Sequence, residues 1–189
     1  FRDCFWLITI GLKWCLNFKV FTHFIIVTDI NQLTFWWFLV FFLLMKSCVY
    51  LVGAGPGDPG LLTVKGLELI KEADVIVYDY LSNPYFLTLA KKDCKLINAG
   101  KRLGFKALSQ KQTNKKLILL AKMGYKKIVR LKGGDPFLFG RGGEEAEELK
   151  KNKIDFEVVP GVTSAIAVPA YAGIPVTHRE LTSTLAIVT

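Results

Sequence analysis

From residue 48 onward the apolar positions follow two habits, short apolar-rich runs and longer stretches with helical spacing. Residues 48–52, 75–78, 127–131 and 156–159 are runs of four or five, rich in Val, Ile and Leu, and 95–98 is a weaker one. An apolar run of that length suits a strand covered on both faces, as in a parallel sheet. Helical patterns lie between them. Thr63 can cap a helix whose apolar face uses Val64, Leu67, Ile70 and Ala73. Ser109 and Gln112 have capping-box spacing, and the helix behind them places Leu117, Leu120 and Ala121 on one face. Gly124 then stands where a left-handed C′ residue ends a helix. The Glu-rich run from Glu144 predicts a helix through Lys151. Residues 162–172 predict one that packs on the sheet, with Pro169 as a kink or break. Residues 184–189 read as the start of another strand. Strands alternating with helices define an α/β fold on a parallel sheet.

The first 44 residues are a different kind of sequence. All four Trp and nine of the fourteen Phe lie there. Residues 30–45 are uncharged but hold Asn31, Gln32 and Thr34, and a spanning helix needs about 20 apolar residues. No basic segment beside a short apolar core marks a secretory signal. Residues 1–44 are therefore read as an aromatic-rich leader, translated upstream sequence or a disordered segment, with Met45 as the start. A membrane anchor or interaction segment is the alternative, resting on the aromatic run 35–44.

Charge adds a constraint on partners. From residue 48 there are 21 Lys or Arg against 14 Asp or Glu, an excess that favours an acidic ligand. No nucleic-acid-binding motif accompanies it, and the pairs Lys91-Lys92, Lys115-Lys116 and Lys126-Lys127 are expected at solvated helix ends. Cys4, Cys15, Cys48 and Cys94 show no metal-ligand spacing, and Cys48 and Cys94 are expected as small buried thiols. A reducing, cytoplasmic setting fits. His23 and His178 are isolated, so no metal is expected.

The candidate chemistry lies in the glycine-rich loops. Residues 132–143 read Lys-Gly-Gly-Asp-Pro-Phe-Leu-Phe-Gly-Arg-Gly-Gly, between a strand and an acidic helix. That order exposes backbone N–H groups at the C-terminal edge of a sheet, where ligands bind. Residues 53–58, Gly-Ala-Gly-Pro-Gly-Asp, follow the first strand, and Asp79 ends the second. A dinucleotide-dependent oxidoreductase is the obvious reading, but its fingerprint needs glycine where Asp58 stands. A carboxylate at that mouth would repel a pyrophosphate, and no Walker pattern appears. The loops suit a less anionic ligand, such as an adenosyl sulfonium. An Asp after a strand also serves as a helix N-cap, the plainer role for Asp79.

These residues resemble the tetrapyrrole methylases. Residues 49–66, Val-Tyr-Leu-Val-Gly-Ala-Gly-Pro-Gly-Asp-Pro-Gly-Leu-Leu-Thr-Val-Lys-Gly, are similar to the opening of that family. The segments 77–81 (Val-Tyr-Asp-Tyr-Leu), 100–102 (Gly-Lys-Arg), 130–145, 159–164 (Val-Pro-Gly-Val-Thr-Ser) and 170–179 follow in the family's order. The resemblance covers residues 49–189.

It implies a tetrapyrrole methylase-like fold: an N-terminal α/β domain over residues 45–180, and a second α/β domain, largely missing, that starts at 181–189. It implies S-adenosylmethionine as methyl donor and uroporphyrinogen III as acceptor, giving precorrin-2 on the way to sirohaem or cobalamin, in a homodimer. Pro56, Gly133, Gly134, Asp135, Leu138, Thr163 and Ser164 would line the donor site. Asp79 resembles the family's proton acceptor and Lys101 its proton donor. Tyr80 replaces the family's usual Arg. A sibling acting on a later precorrin is the nearest rival, and an inactive fragment with a sticky leader is the third reading.

Overall fold

Five short strands carry the fold: β1 (Cys48–Gly53), β2 (Val75–Tyr78), β3 (Lys95–Asn98), β4 (Lys127–Lys132) and β5 (Asp155–Val159). The coordinates are those of a computed structural model, which describes residues 46–100 and 108–188. The readings made for residues 1–44, Lys101 and Arg102 fall outside that range. Every strand lies on one of the apolar runs, and all are paired in parallel in the order β3-β2-β4-β1-β5. The connections carry α1 (Val64–Glu72), α2 (Tyr85–Thr88), α3 (Gln110–Lys122) and α4 (Gly142–Lys151), and α5 (Ser164–Tyr171) follows β5.

Alternate strand residues feed two cores. On one face Val49, Leu51, Val77 and Ile128 pack with Leu117 and Leu120 of α3 and Leu149 of α4. On the other, Val52, Ile76, Val129 and Leu131 pack with Leu69 and Ile70 of α1 and with Phe86 of α2. Each such fully buried side chain contributes about 1.5–3 kcal/mol. The helices that follow the neighbouring strands β1 and β4 thus lie on opposite faces. That reversal opens a crevice at the C-terminal ends of these two strands.

Local signals hold in detail. Thr63 accepts from the Gly66 amide at the start of α1, Ser109 and Gln112 form the capping box of α3, and Gly124 follows α3 at φ +90°. The buried face of α1 is rotated from the expected one. Val64 is 73% exposed, whereas Gly66, Leu69, Ile70 and Ala73 go in. The glycine decides this: a Cβ on Gly66 would lie 3.1 Å from Val52 Cγ1, so this is the side on which the helix approaches the sheet most closely. α5 departs further, for it buries Ala167 but leaves Ile166, Val168 and Tyr171 open. Residues 184–188 form no strand, since no partner strand lies beside them among the described residues. The lysine pairs are not at helix ends either. Lys115 and Lys116 are mid-α3, and Lys127 opens β4 and binds Glu72. Cys48 and Cys94 are only half-buried, and burial raises both thiol pKa values.

Asp74 ties the N-terminal edge together. Its carboxylate accepts from Lys91 Nζ (2.7 Å) and from the Lys126 and Lys127 amides (3.0 and 2.9 Å). Burial works against the charge, but these donors outweigh it and hold Asp74 below the usual carboxylate range. With its folded pKa below an unfolded value of about 3.9, its contribution is complete above that pH. It is lost as pH falls through the folded pKa. Asp74→Asn is therefore expected to cost about 2 kcal/mol at pH 7. Melting curves from pH 7 to 3 check this: the gap to wild type should close at the acid end, and a gap constant with pH would refute it.

Candidate active site

Three glycines bring three loops to one place. A Cβ on Gly161, after β5, would stand 2.3 Å from the Gly134 carbonyl oxygen and 2.7 Å from Gly53 Cα. A Cβ on Gly53 would meet Gly161 at 2.6 Å. The backbones after β1, β4 and β5 touch without side chains between them. Gly55 and Gly134 then exchange amide-to-carbonyl hydrogen bonds of 3.2 and 2.8 Å, both residues having positive φ. Asp135 locks the crossing. One of its oxygens accepts from the Phe137 and Leu138 amides (2.8 and 3.1 Å), the other from the Gly161 amide (3.0 Å). Its carboxylate works as a staple between loops.

Around this crossing lies a cleft of about 480 Å³, lined by all seven residues named for the donor: Pro56, Gly133, Gly134, Asp135, Leu138, Thr163 and Ser164. Gly55, Leu81, Phe139, Ala165, Ile187 and Val188 complete it. Asp135 is the one charged side chain in that lining, and its oxygens already bind backbone amides. Phe139 and Arg141 both take left-handed conformations, at φ +53° and +57°. Such strain costs of order 1–3 kcal/mol per residue. It is held by Gly140 and Gly142, whose backbones crowd the Pro136 carbonyl. At the first loop, Asp58 accepts from the Tyr171 hydroxyl (2.6 Å) and the Gly60 amide (2.7 Å), which lower its pKa. A second cleft, about 400 Å³ between α3 and α4, holds none of the candidate site residues.

Asp79 lies outside the cleft lining and caps no helix, since α2 begins after Pro84. Both its oxygens accept from Arg130 Nη2, at 2.7 and 2.8 Å. Register explains the meeting: Val77 pairs with Arg130 and Tyr78 with Leu131, so Asp79 continues beside Lys132. Arg130 and Lys132 share the face of β4 that α4 covers. There Glu145, fully buried, accepts from Arg130 Nε (3.0 Å) and Lys132 Nζ (3.2 Å), and from Gln110 Nε2 (3.1 Å). Lys132 Nζ stands 4.0 Å from Asp79. Burial, then the Arg130 charge, pull the Lys132 pKa down. The four formal charges cancel. Glu145 Oε2 finds no hydrogen-bond partner among the described residues, a condition that costs about 1–3 kcal/mol. Gly100 packs on this corner, where a Cβ would lie 2.3 Å from the Tyr80 amide nitrogen. Lys101, the next residue, lies outside the described residues.

Arg130, Lys132 and Glu145 are what the sequence reading passed over. The signal was available: two cations at alternate positions in the later half of an apolar-rich strand, beside a strand followed by Asp.

The chain belongs to the tetrapyrrole (corrin/porphyrin) methylases, whose family profile matches residues 48–188. Among its relatives is a uroporphyrinogen-III C-methyltransferase of Methanocaldococcus jannaschii, 60% identical over 145 residues, which are 77% of this chain and 60% of that protein. A solved uroporphyrin-III C-methyltransferase from Thermus thermophilus superposes with a TM-score of 0.63 at 46% identity, over 72% of this chain and 57% of that one. The Thermus enzyme complexed with S-adenyl homocysteine gives a TM-score of 0.59 at 45% identity, over 71% and 52% of the two chains. The chain thus spans a little over half the length of these three relatives.

The glycine crossing makes a sharp prediction. Gly161→Ala forces backbone apart and should cost about 3 kcal/mol in urea unfolding. Gly143→Ala, in α4 with nothing within 4 Å of its added Cβ, should be neutral or stabilising by up to about 1 kcal/mol. Equal effects would refute the crossing as the constraint.

Proposed function

We infer that this chain carries the donor-binding part of an S-adenosylmethionine-dependent C-methyltransferase that converts uroporphyrinogen III to precorrin-2. The observation that carries the reading is the cleft: seven motif residues from three loops line one volume, and no Lys or Arg is among its described lining residues. Among the described residues a pyrophosphate would find no Lys or Arg there, which disfavours the dinucleotide reading. A donor with one positive sulfonium, one amine and one carboxylate matches a lining whose one described charge is the amide-bound Asp135 carboxylate. The volume is in the ordinary range of small-molecule sites.

The residues divide the work. When bound, S-adenosylmethionine supplies an electrophilic methyl group. Gly133 and Gly134 let the backbone approach the ligand, and Thr163 and Ser164 offer hydroxyls at the start of α5. Asp79, with 29% of its side chain exposed, presents a fixed carboxylate at the C-terminal edge of the sheet. Attack by a pyrrole carbon builds positive charge on the macrocycle, which such a carboxylate stabilises and into which the departing proton can move. Lys101 is assigned the complementary role of proton donor. The basic excess of the chain suits an acceptor bearing several carboxylates. A homodimer and a cytoplasmic location belong to the same proposal. Among the described residues no helix is long and apolar enough to cross a membrane, and no group of acidic, His and Cys residues is placed to hold a metal.

Two measurements test it. S-adenosylhomocysteine should raise the melting temperature of this chain, and NAD should not. The reverse pattern would favour the oxidoreductase. A version extended to the length of the relatives, incubated anaerobically with uroporphyrinogen III and the donor, should add two methyl groups by mass. Asp79→Asn should cut that product by about 10²–10³-fold while the melting shift survives. Near-wild-type turnover would remove Asp79 from its assigned role.

A further inference from the structure

We propose that Glu145, which touches neither the cleft nor Asp79, is a positioning residue that orients Arg130 and restrains Lys132 so that Asp79 is held in one pose. The inference rests on the reading of Asp79 given above.

The geometry of Arg130 is the ground for it. A guanidinium is planar and has five N–H donors, so fixing one edge fixes the other. All three of its nitrogens are committed. Nη2 donates to the Asp79 carboxylate, Nη1 donates to the carbonyls of Val77 and Leu131 at 3.3 Å each, and Nε donates to Glu145 at 3.0 Å. The carbonyl bonds are long. The Glu145 contact at Nε is shorter than either carbonyl contact, and among the described residues it is the one charged contact of Arg130 besides Asp79. It sets the plane in which Nη2 meets the carboxylate.

Lys132 supplies the second part. Its ammonium is buried, has three donors, and makes one close contact, to Glu145. Asp79 stands 4.0 Å away. Without the Glu145 charge, Lys132 and Arg130 would share Asp79 as their sole nearby anion, and Lys132 would close on it. Glu145 holds Lys132 back and leaves the exposed part of the Asp79 carboxylate free. A buried carboxylate with one oxygen unpartnered is a poor choice for stability alone. Its presence fits a role in placing charge.

The test compares wild type with Glu145→Gln, which keeps the shape and removes the charge. In this chain, proton exchange at Arg130 Nη2 is followed by nitrogen-edited NMR with Arg labelled. Glu145 makes no contact with Nη2, so a merely structural role would lower the melting temperature and leave that exchange unmoved. The proposal expects it to quicken by about tenfold or more, because the clamp on Asp79 loosens. Unchanged Nη2 exchange in folded Glu145→Gln protein overturns the proposal. Should that variant not fold, Lys132→Met with Glu145→Gln keeps the cluster neutral, takes the charge from the Nε anchor and must show the same quickening. In the extended protein, Glu145→Gln should lower kcat by about 10²-fold with the KM for the donor within about twofold. A wild type that transfers no methyl group would sink the functional reading alone, because the exchange measurement needs no turnover.

Discussion

The contact of bare backbone at Gly53, Gly134 and Gly161 is the constraint on which the rest of the site depends. Parallel strands order their C-terminal ends along one edge, but they do not by themselves make the following loops meet. Here the loops after β1, β4 and β5 come within reach of each other because no side chain stands between them. The Asp135 carboxylate then fastens the β4 loop to the β5 loop through the Gly161 amide, and Gly55 pairs with Gly134 across the other side. The cleft is the space left around this crossing. Glycines stand at the crossing itself, and larger apolar side chains, among them Leu81, Leu138 and Phe139, complete the walls around it.

Beneath that edge the sheet holds an unusual load. Arg130 and Lys132 occupy positions of β4 where neighbouring residues are apolar, and α4 covers them with Glu145. Charges so deep are tolerated when paired and hydrogen-bonded, and Arg130 meets that standard with every nitrogen engaged. Lys132 and Glu145 do not, each keeping hydrogen-bonding capacity unused among the described residues. Apolar residues of like size would hold β4 to α4 at least as well. The arrangement is better understood through Asp79, whose fixed carboxylate is its one outlet to the surface.

Much of this was legible in the sequence, for identifiable reasons. The strands announced themselves because parallel strands buried on both faces need unbroken apolar runs. Ser109, Gln112 and Gly124 bounded α3 through local backbone chemistry that owes nothing to the rest of the fold. The donor-site residues were named by resemblance, and the three loops that carry them converge as the glycine spacing allows. What stayed hidden depends on packing between elements. The rotation of α1 follows from Gly66 meeting Val52, a contact between segments 14 residues apart that periodicity cannot register. The role of Glu145 was hidden in a run of four glutamates, three on the solvent side and one fully buried. Residues 184–188 have strand composition but no partner, and a ladder needs two sides.

The charge layout is coherent with the proposed chemistry in a way that no single residue shows. A cationic donor and a polyanionic acceptor make opposite demands. A lining of Lys and Arg would attract the acceptor's carboxylates but repel a sulfonium, and a lining of free carboxylates would do the reverse. The cleft avoids both, since its one carboxylate is occupied by backbone amides. The two buried cations are cancelled by Asp79 and Glu145 at close range, so little of their field extends to the cleft. Opposed charges a few ångströms apart act at distance as a weak multipole, whatever their strength nearby. Asp79 therefore offers its negative potential locally, where positive charge would grow on the acceptor, without setting a strong field across the cleft. Surface lysines can then attract an acidic acceptor from solution while the site itself stays neutral to the donor.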